Sequence, residues 1–578
     1  MKKNINILKP DPKTVREINH CLGCHPVTAT LLANRNLGCI DNIKCFLSPS
    51  FKQLRDPDSI IDMDIAVKRI AKAVFAGEKI LIFGDYDVDG ITSTVLLFEF
   101  LKGTGARVSY HIPHRIEEGY SLKPEHAEKI FSAGNDLSLV ITVDCGSNSN
   151  EAITAAQKNG IDVIITDHHL VTGTLPDACA IVNPKREDCS SGLSHLAGVG
   201  VVFYLIISLR KYLRKKGFWK NKPEPNLKQM CDLVALGTIA DLVPLRDENR
   251  VLVKAGLDIM KSGTRLGLKS LAKVCGFFKH VLDSEDIAFR IAPRLNAAGR
   301  IEHAESAASL LLSDREDTAV ELARFLNELN IQRKEFEQAT FQEILHYIDH
   351  HPDMLENKTL VLSSPHWHEG ILGIVASRLA EKFFKPTVLI SVRDGFGKGS
   401  CRSIPGFDLF SRLCRCSTLL DDFGGHSMAA GLKIPTANID IFKKDFEKIV
   451  AAYLQKDNLI PEMTVDCELS FDDISEHLID EIESLKPFGC ENPEPVFLAR
   501  NIMVSDPKII GQNHRRMILS QPGGHTQKKI NAIHFNIDPC RQAEDFLKFA
   551  IFRLRWNHWN GNKTAQILIE EIEQNGSN

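Results

Sequence analysis

Four short acidic clusters carry the chemistry of this chain: Asp85-Tyr86-Asp87-Val88-Asp89-Gly90, Asp144-Cys145-Gly146, Asp167-His168-His169, and Asp241. Asp87 and Asp89 lie two residues apart, so at a strand end or turn both carboxylates can face one side, and Gly90 lets the backbone turn before a helix begins. Asp144, with Gly146 close behind, is suited to bridge two cations. His168 and Asp241 would complete a mostly oxygen coordination sphere with one imidazole. Such ligands suit Mn²⁺ or Mg²⁺ better than zinc, whose structural sites favour thiolates and several histidines. Two divalent ions about 3.5 to 4 Å apart stabilise the attacking and leaving oxygens of an in-line phosphoryl displacement, so the pattern points to hydrolysis of a phosphoester. Any one Asp after a strand is more often a helix cap or turn former. Four clusters of this kind in order are harder to dismiss.

Apolar runs must deliver these groups. Lys79–Phe83, Leu139–Val143 and Val163–Thr166 are strand-like and end at the first three clusters, as in open parallel sheets, which collect ligands at their carboxyl ends. They alternate with helical stretches such as Ile91–Lys102 and Asn150–Asn159, the pattern of βαβ units. From Asp314 to His350 there is no Gly or Pro, and apolar residues recur at helical spacing, predicting a long connecting helix. Strand-like Leu360–Leu362 and Thr387–Ser391 then flank helical Ile371–Phe384, a second α/β unit. Beyond about residue 460, five or six short strand-like runs with polar turns suggest a small barrel of the kind that binds single strands. The expected architecture is therefore α/β and multidomain. It has a helical leader (1–55), a parallel-sheet catalytic domain (56–312), a connecting helix (313–350), a smaller α/β domain (351–458) and an OB-like β-barrel for nucleic acid (459–578).

The chain has 578 residues, 43% hydrophobic and 25% charged, with a formal net charge of −4. That balance argues against wrapping duplex DNA through bulk positive charge and leaves room for a local basic groove. Lys508, Arg515, Arg516, Lys528 and Lys529 fall in a stretch without Asp or Glu, and Arg553-Leu-Arg555-Trp556-Asn-His558-Trp559 interleaves cations with aromatics. Trp556 and Trp559 are read equally as DNA contacts or barrel core. The N-terminus lacks the apolar stretch of a signal peptide and no apolar run reaches 18 residues, which predicts a cytoplasmic protein without a membrane span. Fifteen cysteines, an odd number scattered along the chain, read as reduced thiols. Cys21, Cys24, Cys39 and Cys45 lack the paired spacing of a zinc site.

With these residues in view, the chain resembles the DHH phosphoesterase superfamily, and within it the bacterial RecJ family of single-strand-specific exonucleases. The resemblance runs from about residue 60 to the end. It includes Leu196–Tyr204, Pro293–Arg300, Trp367–Arg378 and Phe423–Gly431 besides the acidic motifs. It implies a DHH domain and a DHH-associated domain, with two Mn²⁺ or Mg²⁺ ions held by Asp87, Asp89, Asp144, His168 and Asp241. Asp85 would support that site, and His169 would act on the scissile phosphate as electrostatic stabiliser or proton donor. Ser400, Arg402, Ser403, Gly424, Gly425 and His426 would grip the substrate backbone. Arg300 and Arg294 would join Ser400 and Arg402 around a terminal 5′ phosphate, while Arg115 and Tyr120 would guide the strand. The implied activity is 5′ to 3′ degradation of single-stranded DNA in repair and recombination, by a monomer partnered with a single-strand-binding protein and a RecQ-like helicase. Hydrolysis of short oligonucleotides or a cyclic dinucleotide, and an inactive DNA-binding scaffold, are the alternatives. Cys401 departs from the pattern, standing where relatives usually carry Gly, and is expected to add a side chain near the phosphate grip that tightens the cleft or makes activity sensitive to oxidation.

Overall fold

The computed structural model describes residues 4–126, 136–277, 282–454, 461–523, 528–538, 544–559 and 562–574. They form two compact units. One comprises residues 55–243 and 252–461, the other residues 1–54, 244–251 and 462–578.

The chain opens with strand β1 (Asn4–Ile7) and three helices, Pro12–Leu22, Pro26–Asn34 and Ile40–Leu47. Helices of 11, 9 and 8 residues are too short to persist alone in water. The segment is therefore not a free-standing leader: Ile18, Leu31 and Leu32 share one core with Leu478, Phe497 and Phe552 far along the chain.

Five strands follow: β2 (Lys79–Phe83), β3 (Arg107–His111), β4 (Leu137–Val143), β5 (Asp162–Thr166) and β6 (Ala180–Val182). All pair in parallel, in the order β3-β2-β4-β5-β6. Strands buried on both faces read as unbroken apolar runs, and Ile80–Phe83 and Val163–Thr166 are buried throughout. The second strand in sequence lies outside the first, so the topology switches between β2 and β4, where such sheets open a crevice for ligands. The helix Val88–Thr104 leaves that switch point. Asp87 caps its start by accepting from Gly90 N–H at 3.0 Å.

The helix Glu316–His350 runs 35 residues to a mixed sheet of β7 (Leu360–Ser364), β8 (Thr387–Arg393), β9 (Phe396–Arg402), β10 (Asp422–His426) and β11 (Ala429–Pro435), in the order β10-β11-β9-β8-β7. The helices Leu372–Phe383 and Ile439–Ala451 cover it.

In the second unit β12 (Glu462–Val465) pairs in parallel with β1. β13 (Cys467–Glu468), β14 (Phe497–Ile510), β15 (His514–Ser520), β16 (Ile530–His534), β17 (Phe546–Trp559) and β18 (Asn562–Gln574) follow. The sheet runs β14-β15-β16-β18-β17 and returns through a β17–β14 pairing, closing a five-stranded barrel with β13 beside β14. Three strands are long, of 13 or 14 residues, not short as the punctuation suggested. A register shift between Ser505 and Lys508, at Asp506-Pro507, interrupts the pairing with β15 without ending β14.

The basic and aromatic stretch of β17 is already engaged. Arg553 and Arg555 both pair with the buried carboxylate of Glu494. The Trp556 indole donates to Asp480 at 2.8 Å, with Lys563 over its ring at 4.1 Å. The side chain of Trp559 lies outside the described residues. No helix among the described residues is long and apolar enough to cross a membrane.

Candidate metal and phosphate site

β2, β4 and β5 end side by side, and their parallel register sets the acidic clusters against one another. Asp89, His168 and Asp241 each offer an atom within 4.8 Å of the others, as do Asp85, Asp87 and Asp144, and Asp144, His168 and His169. Nε2 of His168 lies 3.2 Å from Asp144 Oδ1, 3.6 Å from Asp241 Oδ2 and 3.8 Å from Asp89 Oδ2. Asp144, at φ 61° directly after β4, takes a left-handed conformation that costs a β-carbon residue roughly 1 kcal/mol or more. Asp241 is delivered by the end of the helix Cys231–Ala240.

The charges are in conflict as they stand. Burial, then the neighbouring carboxylates, raises Asp144 well above the usual carboxylate range; burial, then Asp87, does the same to Asp85. Burial and Asp87 push Asp89 up to about 7, while burial and Asp89 push Asp241 up to about 8. Burial, then His169 and Lys185, lowers His168 to about 3, so its imidazole is the neutral form a metal requires. Among the described residues, Asp85 Oδ1, Asp144 Oδ1 and His168 Nε2 are buried without a hydrogen-bond partner. Oxygen-rich and mutually repelling, with these atoms partnerless, the set fits hard divalent cations.

His169 differs from His168. Its Nδ1 bonds Asp167 Oδ1 at 2.8 Å, and the same carboxylate accepts from the backbone N–H groups of Ser147, His168 and His169. Burial would lower the His169 pKa, but the Asp167 hydrogen bond and nearby carboxylates outweigh it and raise the ring to about 9. Tyr120 Oη lies 3.3 Å from the same nitrogen. Nearby, Tyr120, Asp167 and His169 line a cavity of about 460 Å³.

A second cavity of about 350 Å³ is lined by Tyr86, Arg115, Gly373, Ser400, Arg402 and the β10 glycines Gly424 and Gly425, among others. Strand alternation decides which β9 residues reach it. Ser400 and Arg402 share one face, and Arg402 donates to Ser400 and Ser377 hydroxyls at 3.1 Å. A Cβ on Gly373 would come within 2.5 Å of the Arg402 guanidinium, so a larger residue there would displace it from its present position. Arg115 stacks over Tyr86 at 4.9 Å. Arg300 donates to the Gly370 carbonyl at 3.0 Å, and burial, then the guanidiniums of Arg115, Arg333 and Arg402, holds it below the ordinary arginine value. Concentrated positive charge of this kind calls for an anion. His426 is exposed at the end of β10, its pKa lowered by burial and then by His169 and Lys185.

Three residues expected at or near the phosphate grip do not line this cavity and have other surroundings. Ser403 is buried and donates to the Phe407 carbonyl at 2.6 Å, away from the cavity. Arg294 is engaged by Asn327 and the Arg290 carbonyl. Cys401 faces the core between Val388 and Ala430, with burial pushing its thiol up to about 12, so it neither touches the phosphate grip nor presents a thiolate.

Other residues join the site without having been given a role in it. The backbone N–H groups of Gly198 and Val199 donate to Asp89 at 2.6 and 2.9 Å, and Asn296 accepts from Val88 N–H. Lys185, just past β6, is the cation beside His168 and Asp241. The strand-end rule that found the carboxylates, extended to β6, points to it.

A parallel sheet with carboxylates and imidazoles at its switch point, facing a guanidinium-lined cavity, defines a phosphoesterase of the DHH class. Family models agree: the DHH family N-terminal domain matches residues 79–238, the DHHA1 domain 356–452 and the RecJ OB domain 465–571. The chain is 36% identical over 540 residues to the single-stranded-DNA-specific exonuclease RecJ of Salmonella typhimurium, covering 91% of this chain and 92% of that protein. It is 35% identical over 571 residues to that of Bacillus subtilis, covering 98% and 70%. The crystal structure of Thermus thermophilus RecJ in complex with Mn²⁺ superposes with a TM-score of 0.83 at 29% identity, covering 99% of this chain and 80% of that one. A second structure, of the Mg²⁺ complex, gives 0.77 at 27% identity, covering 99% and 79%. The chain belongs to the RecJ family.

Proposed function

We propose that this protein is a metal-dependent exonuclease that hydrolyses single-stranded DNA from its 5′ end, in repair and recombination. The observation that carries the reading is the partnerless Asp144 Oδ1 and His168 Nε2, buried among four further aspartates beside a pocket of guanidiniums. Asp87, Asp89, Asp144, His168 and Asp241 would hold two divalent cations, Mn²⁺ or Mg²⁺, with Asp85 supporting them. Bound there, the cations supply charge stabilisation to the entering and leaving oxygens of an in-line displacement. His169, kept protonated at neutral pH by Asp167, donates to a phosphate oxygen and steadies the charge that develops on it.

Arg115, Arg300 and Arg402, with Ser400 and the backbone of Gly424 and Gly425, take the terminal phosphate. Natural strand ends carry phosphate at the 5′ terminus and hydroxyl at the 3′ terminus, so an arginine pocket suits the 5′ end. A cavity of about 350 Å³ suits the terminal phosphate of a single strand. The OB barrel supplies sequence-neutral binding to single strands. The reading includes a monomer in the cytoplasm, supplied with single strands by a single-strand-binding protein or a RecQ-like helicase. Calorimetric titration with Mn²⁺ tests the site. Two bound ions in the wild type and weakened or lost binding in Asp144→Asn are expected, while full-strength binding in the variant would refute the assignment.

A further inference from the structure

One carboxylate ties together the loop that presents Arg115 and Tyr120. Glu118 Oε1 accepts from the His114 backbone N–H at 3.1 Å, and its own N–H returns a bond to the His114 carbonyl at 2.8 Å. Oε2 lies 3.0 Å from Nε2 of His111, the last residue of β3, and 3.0 Å from Nε2 of His126, beyond the loop. The His126 tautomer follows from its other nitrogen. Nδ1 accepts from Lys123 N–H at 3.0 Å, so the ring proton sits on Nε2 and points at Glu118. Both rings are fixed in turn by Phe83, the end of β2, at centroid distances of 5.5 Å for His111 and 5.1 Å for His126. His126 is only 3% exposed. Glu118 therefore fastens both sides of the loop to the rigid end of the sheet that carries Asp85.

We propose that Glu118, clamped between His111 and His126, is a positioning residue for substrate grip. It holds Arg115 over Tyr86, and so sets affinity for the phosphate-bearing strand end while leaving the hydrolytic step alone. The inference rests on the exonuclease reading above. A carboxylate is required because two ring N–H groups and a backbone N–H converge on it. A glutamine would turn an amide N–H toward donors and leave one of them unpaired.

The test uses the full chain with Mn²⁺ and two substrates, a 5′-phosphorylated single-stranded oligonucleotide and bis(p-nitrophenyl) phosphate, which has no strand end to grip. Glu118→Gln is expected to raise KM for the oligonucleotide by about tenfold or more and to leave its kcat and the hydrolysis of the small ester within about twofold. Arg115→Ala should raise KM as well, and adding Glu118→Gln to it should change KM by less than about twofold, because both act through one contact. An unchanged KM in Glu118→Gln, an equal loss on both substrates, or full additivity in the double variant would each overturn the proposal. Should Glu118→Gln melt more than about 5 °C below wild type, His111→Gln, at the more exposed side of the clamp, is read by the same criteria. A wild type that leaves single strands intact would instead sink the exonuclease reading itself.

Discussion

The backbone N–H of Gly198 donates to Asp89 Oδ2 at 2.6 Å, and a Cβ on Gly198 would stand 2.5 Å from Asp144 Oδ1. One residue thus orients one proposed ligand and makes room for another, at the first turn of the helix Gly198–Lys215, whose N-terminal dipole favours the negative charge. Gly198→Ala should weaken Mn²⁺ binding by about 10- to 100-fold, the usual effect of disturbing the support of a metal ligand. Calorimetry would show it, and an affinity equal to wild type would refute it.

Stability of the cation-free protein should fall as pH rises. Burial, then neighbouring carboxylates, holds Asp89 at about 7 and Asp241 at about 8, against 3.8 for an ordinary aspartate. Between these values the folded state keeps protons that the unfolded chain has released, so this contribution is complete below about pH 4 and lost by about pH 8. Mn²⁺ removes the repulsion, and the stabilisation it gives should grow over the same window. Melting temperatures from pH 5 to 8.5, with and without Mn²⁺, measure this. A Mn²⁺ increment independent of pH would contradict it.

Asp167 acts through His169. Asp167→Asn keeps the size of the side chain and removes the charge that raises the ring to about 9. The expected result is a fall in kcat of roughly 10²- to 10⁴-fold, the range for loss of a positioned proton donor, with the alkaline limb of the pH–rate profile moved to lower pH. An unmoved limb would show that His169 is not the group titrating there.

Cys401 should be indifferent to oxidants. Its thiol is fully buried and held protonated, and the reactive form of cysteine is the exposed thiolate. Peroxide treatment of Cys401→Gly and wild type is expected to alter activity equally. The variant should also lose about 1–2 kcal/mol of stability through the cavity it leaves and the strand glycine it introduces.

The convergence of the acidic clusters was legible because the first three follow apolar runs too short for a helix, and parallel strands carry such residues to a common edge, while Asp241 arrives at the end of a helix. The face taken by Cys401 was misread, although strand alternation contains it. Ser400 and Arg402, two apart on a strand, share one side, which leaves residue 401 on the other. The engagement of Arg553 and Arg555 was not legible, since Glu494 lies about 60 residues away and only barrel closure brings it near. The N-terminal helices read correctly as helices, but their partner core begins more than 400 residues later in the chain. No local pattern encodes a contact of that range.

The central claim is tested most directly by Mn²⁺-dependent digestion of an oligonucleotide labelled at either end, single-stranded and duplex, beside Asp144→Asn. The account predicts mononucleotides released from the 5′ end of the single strand alone, and none from the variant. Release from the 3′ end, equal digestion of duplex, or undiminished activity in Asp144→Asn would contradict it.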